Sequence, residues 1–69
     1  MKIKSVKPCL NKVLYEIGMK QQTLSELTGI QQGTISRFDR TNRHDDYNLF
    51  VIANALNVKI EDLFIIEYE

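Results

Sequence analysis

The stretch GIQQGTISRFDR, Gly29 to Arg40, carries two adjacent amides, Gln31 and Gln32, a glycine, Gly33, a hydroxyl, Ser36, and a guanidinium, Arg37. A helix advances about 100° per residue, so directing Ile35 and Phe38 into a core turns Gly33 outward, with Ser36 and Arg37 flanking the same face and Arg40 one turn further. A glutamine amide sets a donor beside an acceptor, and a guanidinium presents a planar fork of donors. Those patterns match nucleobase edges: Gln32 fits the N6 and N7 of adenine, Arg37 the O6 and N7 of guanine, each bidentate contact discriminating by about 1 to 3 kcal/mol. Gly33 costs such a helix roughly 1 kcal/mol against alanine. Without a β-carbon at the centre of the face, the backbone comes closer to whatever it faces, and the added contacts offset that cost. Gln31, Gln32, Gly33, Ser36 and Arg37 are the candidate base-reading residues.

Holding that face in place requires short helices at fixed angles. Leu10, Val13, Leu14 and Ile17 follow helical spacing, which predicts a first helix from about Pro8 to Ile17, with Pro8 in the first turn and Gly18 as a left-handed cap. A second helix is expected from about Gln21 to Thr28, burying Leu24 and Leu27 and ending at Gly29. A third starts near Gln31, with Ile35 and Phe38 inward. The polar run DRTNRHDD, Asp39 to Asp46, reads as a loop. Leu49, Ile52, Ala53 and Leu56 predict a fourth helix, and Ile60, Leu63 and Phe64 a short fifth. Two helices joined by a glycine turn, the second polar outward, form a helix-turn-helix over about residues 21–38. Counting from Gln21, the fifth residue is the small Ser25, the ninth is Gly29 and the fifteenth is the apolar anchor Ile35.

The ends read differently. Residues 1–6 alternate at first between apolar and basic, and FIIEYE, residues 64–69, is rich in β-branched and aromatic side chains, so both favour short strands. These strands pair with each other or with a second copy, unless the termini fray; an isolated two-stranded ribbon needs support beneath it. Ile3, Ile65, Ile66 and Tyr68 are the candidate dimer or partner contacts.

Formal net charge is zero, yet the charges segregate. Residues 1–43 hold eight basic and three acidic side chains, net +5, and residues 44–69 one basic and six acidic, net −5. Phosphate binding needs clustered cations, and the basic part contains the candidate helix-turn-helix. Lys20, Arg40 and Arg43 flank the third helix and are expected to grip phosphates, with backbone N–H groups near Gln21 and Gln31 assisting. At 69 residues a single domain, 1–69, is expected. One cysteine, Cys9, and one histidine, His44, leave no internal disulfide and no metal site, and no nucleophile, base and orienter converge, so no enzyme, no cofactor and no catalytic residue is expected. Cys9 reads as a small helix residue, His44 as a solvated loop residue, and Tyr15, Tyr47 and Tyr68 as aromatics at the core's edge. MKIKSVKP lacks the apolar run of a secretory signal, and nowhere do roughly 18 apolar residues follow one another, so no membrane partner and a cytoplasmic location are expected. Nothing here reads as a ligand-sensing domain, so regulation is expected to come from concentration, a partner or proteolysis.

From Gly18 to Arg40 the chain, GMKQQTLSELTGIQQGTISRFDR, resembles the Cro-like phage-repressor (XRE) helix-turn-helix family. IANALNVKIEDLF resembles that family's fourth and fifth helices, and the likeness runs from about Leu10 to Phe64. It implies an all-α fold, a compact five-helix lambda-repressor-like DNA-binding domain, here with short terminal β-strands. It also implies a cytoplasmic transcriptional regulator, a repressor, that binds double-stranded DNA as a homodimer on an inverted-repeat operator. By this resemblance Gln21 and Thr34 match backbone-contacting positions, and Gln32, Gly33 and Arg37 match positions facing base edges. The loop after Phe38 departs from the family pattern: Arg40 and Thr41 stand where a glycine usually follows an acidic residue and an asparagine, and the loop is one residue shorter. Arg40, Asn42 and Arg43 are still assigned to phosphates. The competing reading keeps the fold but makes a protein the partner, as in an antitoxin, antirepressor or phage regulator, engaged through FIIEYE by strand addition.

Overall fold

Five side chains with almost no exposure, Leu10, Leu24, Ile35, Ile52 and Leu63, converge from five different elements and form the centre of the molecule. A computed structural model describes the whole chain, Met1–Glu69. Its elements in order are β1 (Ile3–Pro8), α1 (Leu10–Ile17), α2 (Gln21–Thr28), α3 (Gln32–Ser36), a 3-10 turn (Phe38–Arg40), α4 (Asp46–Leu56), a second 3-10 turn (Ile60–Leu63) and β2 (Phe64–Tyr68). The expected helices are present with one substitution of type. There are four α-helices and a two-stranded antiparallel sheet, so the five-helix, all-α expectation is corrected. The segment from Ile60 forms only a 3-10 turn because Phe64 already has extended backbone, φ −135° and ψ 149°, and Asp62 Oδ2 accepts from the Lys59 N–H at 3.0 Å.

The boundaries shift for identifiable reasons. Pro8 belongs to β1, opposite Phe64, and does not open α1. The first turn of α1 is instead satisfied from a distance: Asp39 Oδ1 accepts from the Leu10 N–H at 2.7 Å and Oδ2 from the Asn11 N–H at 3.0 Å. Asp39 therefore leaves the expected loop and, with Arg40, enters the 3-10 turn that continues α3. At the other end of the loop Asp45 accepts from the Tyr47 N–H at 2.9 Å, so α4 begins at Asp46, before the first apolar residues of its pattern. Oxygen side chains at such positions pair N–H groups that a helix leaves free in its first turn. Leu27, expected inside, is 62% exposed, and Tyr15, Tyr47 and Tyr68 are exposed too. Eight residues of α2 give it two turns, and Leu24 alone among them is buried.

The strands pair in the register Ile3↔Tyr68, Ser5↔Glu67, Val6↔Ile66, Lys7↔Ile65 and Pro8↔Phe64, with an irregularity between Ile3 and Ser5. Phe64 packs against the core, and the Cys9 N–H donates to the Leu63 carbonyl at 2.8 Å where the ribbon meets the helices. This is the support that an isolated ribbon lacks. Further out Ser5 Oγ donates to Glu67 Oε1 at 2.6 Å, and the Glu69 N–H to the Lys2 carbonyl at 2.9 Å. No helix is long and apolar enough to cross a membrane.

Candidate nucleic-acid interface

The turn between α2 and α3 is set by three small residues. Gly29 has φ +76° and ψ 3°, a left-handed conformation that a β-carbon disfavours. Its N–H donates to the Ser25 carbonyl at 2.8 Å. The Ser25 hydroxyl donates to the Ile30 carbonyl, and Thr28 Oγ1 accepts from the Ile30 N–H at 3.2 Å. The Ser25 hydroxyl thus ties α2 to the start of the next segment. Ile30 and Ile35 are buried, which fixes the rotation of α3 about its axis.

With that rotation Gln31, Gln32, Gly33 and Arg37 are exposed, while Thr34 and Ser36 are half-buried. Helix α3 is shorter than expected, five residues, and the chain tightens into the 3-10 turn so that Phe38 can follow Ile35 into the core. The guanidinium of Arg37 folds back along the helix, with Nη1 3.1 Å from the point a β-carbon on Gly33 would occupy. Ser36 Oγ donates to the Gly33 carbonyl at 3.2 Å, so its proton is engaged within the helix and its oxygen is left to act as an acceptor.

The flanking cations are arranged in two groups. Lys20, exposed and extended, precedes α2, where Gln21 is half-buried. Gln21 Nε2 donates to Asn11 Oδ1 on α1 at 2.7 Å, which holds the amide at the start of α2 and leaves its second N–H free. On the other side Arg37, Arg40 and Arg43 line one cavity of about 460 Å³ together with Thr34, Thr41, His44, Asp45 and Asn48, over Phe38 and Ile52. Asn42 is exposed and lies outside that lining. Ile3, Ile65 and Tyr68 are exposed and Ile66 half-buried, all on the ribbon.

His44 is the clearest departure from expectation. It is half-buried, its ring 4.1 Å from that of Phe38 and 5.7 Å, edge on, from that of Phe64. Its Nε2 lies 2.8 Å from the Phe38 carbonyl; a carbonyl can only accept, so Nε2 carries the proton. The imidazole joins the 3-10 turn after α3 to the start of β2. Cys9 is buried beside Leu10, and burial, followed by the nearby Asp39 carboxylate, pushes its thiol above the ordinary value of 9.0. Such a thiol is a poor nucleophile. Sequence reasoning missed Asn11, Asp39 and His44 because each acts on a partner outside its own helix or turn. Asp45, next to a helical pattern, carried a readable capping signal.

A family model for the Cro/C1-type HTH DNA-binding domain matches residues 9–69. The chain belongs to that family. No curated protein and no solved structure matches it.

Proposed function

We propose that this Cro/C1-type domain is a sequence-specific regulator of transcription, a cytoplasmic repressor, that reads the major groove of an inverted-repeat operator as a homodimer. The observation that carries the reading is the exposed face of α3, with Gln31, Gln32 and Arg37 around Gly33 and the cations of Arg40 and Arg43 beside it. Gln31, Gln32, Gly33, Ser36 and Arg37 meet base edges, Gln32 suited to adenine and Arg37 to guanine. Lys20, Gln21, Thr34, Arg40, Asn42 and Arg43 meet phosphates and fix the register without reading sequence. Of the acidic side chains after residue 43, Asp45 sits beside these arginines, and in this reading the others turn away from the duplex and help orient its approach.

Selection of bound duplexes from a random pool tests this directly. It should return a preferred half-site, repeated with inverted symmetry at about 34–36 Å or a multiple of that spacing. Arg37→Ala should weaken the selected duplex by about tenfold to a hundredfold, in line with one lost bidentate contact, and random duplex far less. Equal losses on both would refute base reading by Arg37.

A second reading is favoured by the exposed apolar side chains of the ribbon, Ile3, Val6, Ile65 and Tyr68. These contact a second copy in the repressor reading, or a different protein if the domain acts as an antitoxin, antirepressor or phage regulator. Removing residues 65–69 should lower the mass in solution or abolish capture of a partner. If neither changes, the ribbon has no such role.

A further inference from the structure

The ribbon has two unlike faces. Opposite residues of an antiparallel pair share a face and successive residues alternate, so Pro8, Val6 and Ile3 lie with Phe64, Ile66 and Tyr68, while Ser5 and Lys7 lie with Glu67 and Ile65. The first face carries no charge. An irregularity keeps it apolar to its tip. Ser5 pairs with Glu67 and Ile3 with Tyr68, two steps along β1 against one along β2, so Lys4 is the extra residue of a bulge. In an unbroken register Lys4 would stand opposite Tyr68, and Ile3 opposite Glu69. The bulge instead sets an isoleucine beside the tyrosine, and beyond it the Glu69 N–H donates to the Lys2 carbonyl at 2.9 Å. At the base of this face the Phe64 ring packs on those of Phe38 and His44, with centroids 6.0 and 5.7 Å away. Towards the tip nothing covers it: Ile3, Val6 and Tyr68 are 57%, 49% and 52% exposed.

Charge decides how a second chain can meet the ribbon. The β1 side combines Lys2, Lys4 and Lys7 with the bulge and Pro8, all features that oppose addition of a strand. The β2 side carries Glu67 and Glu69. A two-fold dimer made by edges would set lysines against lysines or glutamates against glutamates. The complementary pairing, β1 against β2 of a neighbour, repeats head to tail and has no two-fold axis. A face-to-face meeting buries no charge. Placed charges are what usually select a foreign partner, and this face offers none, whereas an identical face matches it. We propose that the outer part of this face, Ile3, Val6, Ile66 and Tyr68, is a two-fold contact with a second copy of the chain, packed face to face. The inference rests on the dimeric reading above and alters it: Ile65, on the other face, leaves the contacting set, and no strand is added. The exposed part is small, on the order of 300 Å² a copy for three half-exposed side chains of this size, against the roughly 800 Å² a partner of a standard interface. The dimer is therefore weak, monomeric when dilute, and a duplex with two half-sites holds it together.

Sedimentation equilibrium of the full chain between about ten micromolar and about one millimolar, with nitrogen-15 shifts followed over the same range, tests this. The average mass should rise from monomer towards dimer, with shifts concentrated on Ile3, Val6, Ile66 and Tyr68. Val6→Lys should weaken the dimer about tenfold or more, because it buries a charge, and Ile65→Lys should leave it unchanged. Thermal unfolding reports whether each variant still folds, and the shifts of the unsubstituted chain test the contact even where a variant does not. On duplexes, Val6→Lys should bind a lone half-site as the unsubstituted chain does and lose about tenfold on the full inverted repeat. Equal weakening by both substitutions, or new exchange protection of the outward amides of β1 or β2, overturns face-to-face packing. A chain that is monomeric at every concentration and bound singly to the full repeat overturns the second copy and leaves the face to a different protein. A dimer on the full repeat that Val6→Lys does not disturb overturns this inference while the dimeric DNA-binding reading stands. Dimerisation through the face with no affinity for any duplex supports the inference and overturns that reading instead.

Discussion

The guanidinium of Arg37 fills the space above Gly33, with Nη1 3.1 Å from where a β-carbon would stand. An interior glycine thus gives room first to a side chain of its own helix, one turn on. This changes what the glycine does in the free protein: it lets a charged fork lie flat on the exposed face, where the fork waits close to the helix axis. Replacing Gly33 should therefore move stability and affinity in opposite directions. Gly33→Ala gains helix propensity, about 0.5 to 1 kcal/mol, since the contact it creates is with the far end of a flexible side chain. The same methyl displaces Arg37 and holds the backbone further from a groove. Thermal unfolding should show a higher midpoint while duplex affinity falls; a rise in both would remove any special role for the glycine.

Asp39, in the 3-10 turn after α3, holds the first turn of α1 through both carboxylate oxygens. Asp39→Ala should destabilise the fold by about 1 to 2 kcal/mol, because it frees two N–H groups and removes a negative charge from a helix start. For a domain of this size each kcal/mol corresponds to about 4–8 °C in the unfolding midpoint. Asp39→Asn keeps one acceptor and should fall between. A midpoint unchanged by Asp39→Ala would show that solvent satisfies α1 equally well.

Asn11 positions Gln21 through a 2.7 Å bond between their amides. Asn11→Ala removes the acceptor and leaves the backbone bond from residue 11 to Asp39 in place. Duplex affinity should fall severalfold and equally for selected and random sequences, since the contact proposed for Gln21 is to phosphate. The slope of affinity against salt should become shallower if the phosphate contact itself is lost. A loss restricted to the selected sequence would place Gln21 at a base.

Cys9 predicts a pH dependence with a definite sign. Its thiol is held above 9.0 in the fold by burial and by Asp39, so an unfolded chain releases the proton at lower pH than the native one. Stability from this residue is complete below the unfolded value and declines as pH rises through the native one. Cys9→Ala should remove that part of the alkaline decline. Alkylation of native protein near neutral pH should be slow beside that of the unfolded chain.

Much of this molecule was legible where neighbours in sequence are neighbours in space. Spacing placed α2 from Gln21 to Thr28 and put the left-handed turn at Gly29, because glycine, apolar periodicity and polar faces are all local signals. The outward placement of Gln32, Gly33 and Arg37 followed from Ile35 and Phe38 in the same way. What escaped depends on distant partners. Asp39 looks like a loop acid until α1 arrives beside it, and His44 looks solvated until Phe38 and Phe64 enclose it. The fifth helical pattern is genuine in its apolar spacing, yet the demand for extended backbone at Phe64 leaves room for only a 3-10 turn. The arginine-lined cavity was only partly legible, since the sequence grouped its arginines but not Asn48, and Arg37, Arg43 and Asn48 come from a turn, a loop and a helix.

Pairing Ile3 with Tyr68 joins segments that lie far apart along the polymer. During synthesis the first strand emerges long before its mate, so the helices must gather around Leu10, Leu24, Ile35 and Ile52 with that edge still unsealed. Closing so large a loop is entropically slow next to forming helices. The ribbon is thus the late clasp of folding, and a newborn chain carries an open strand that neighbouring nascent copies can capture before its own second strand arrives.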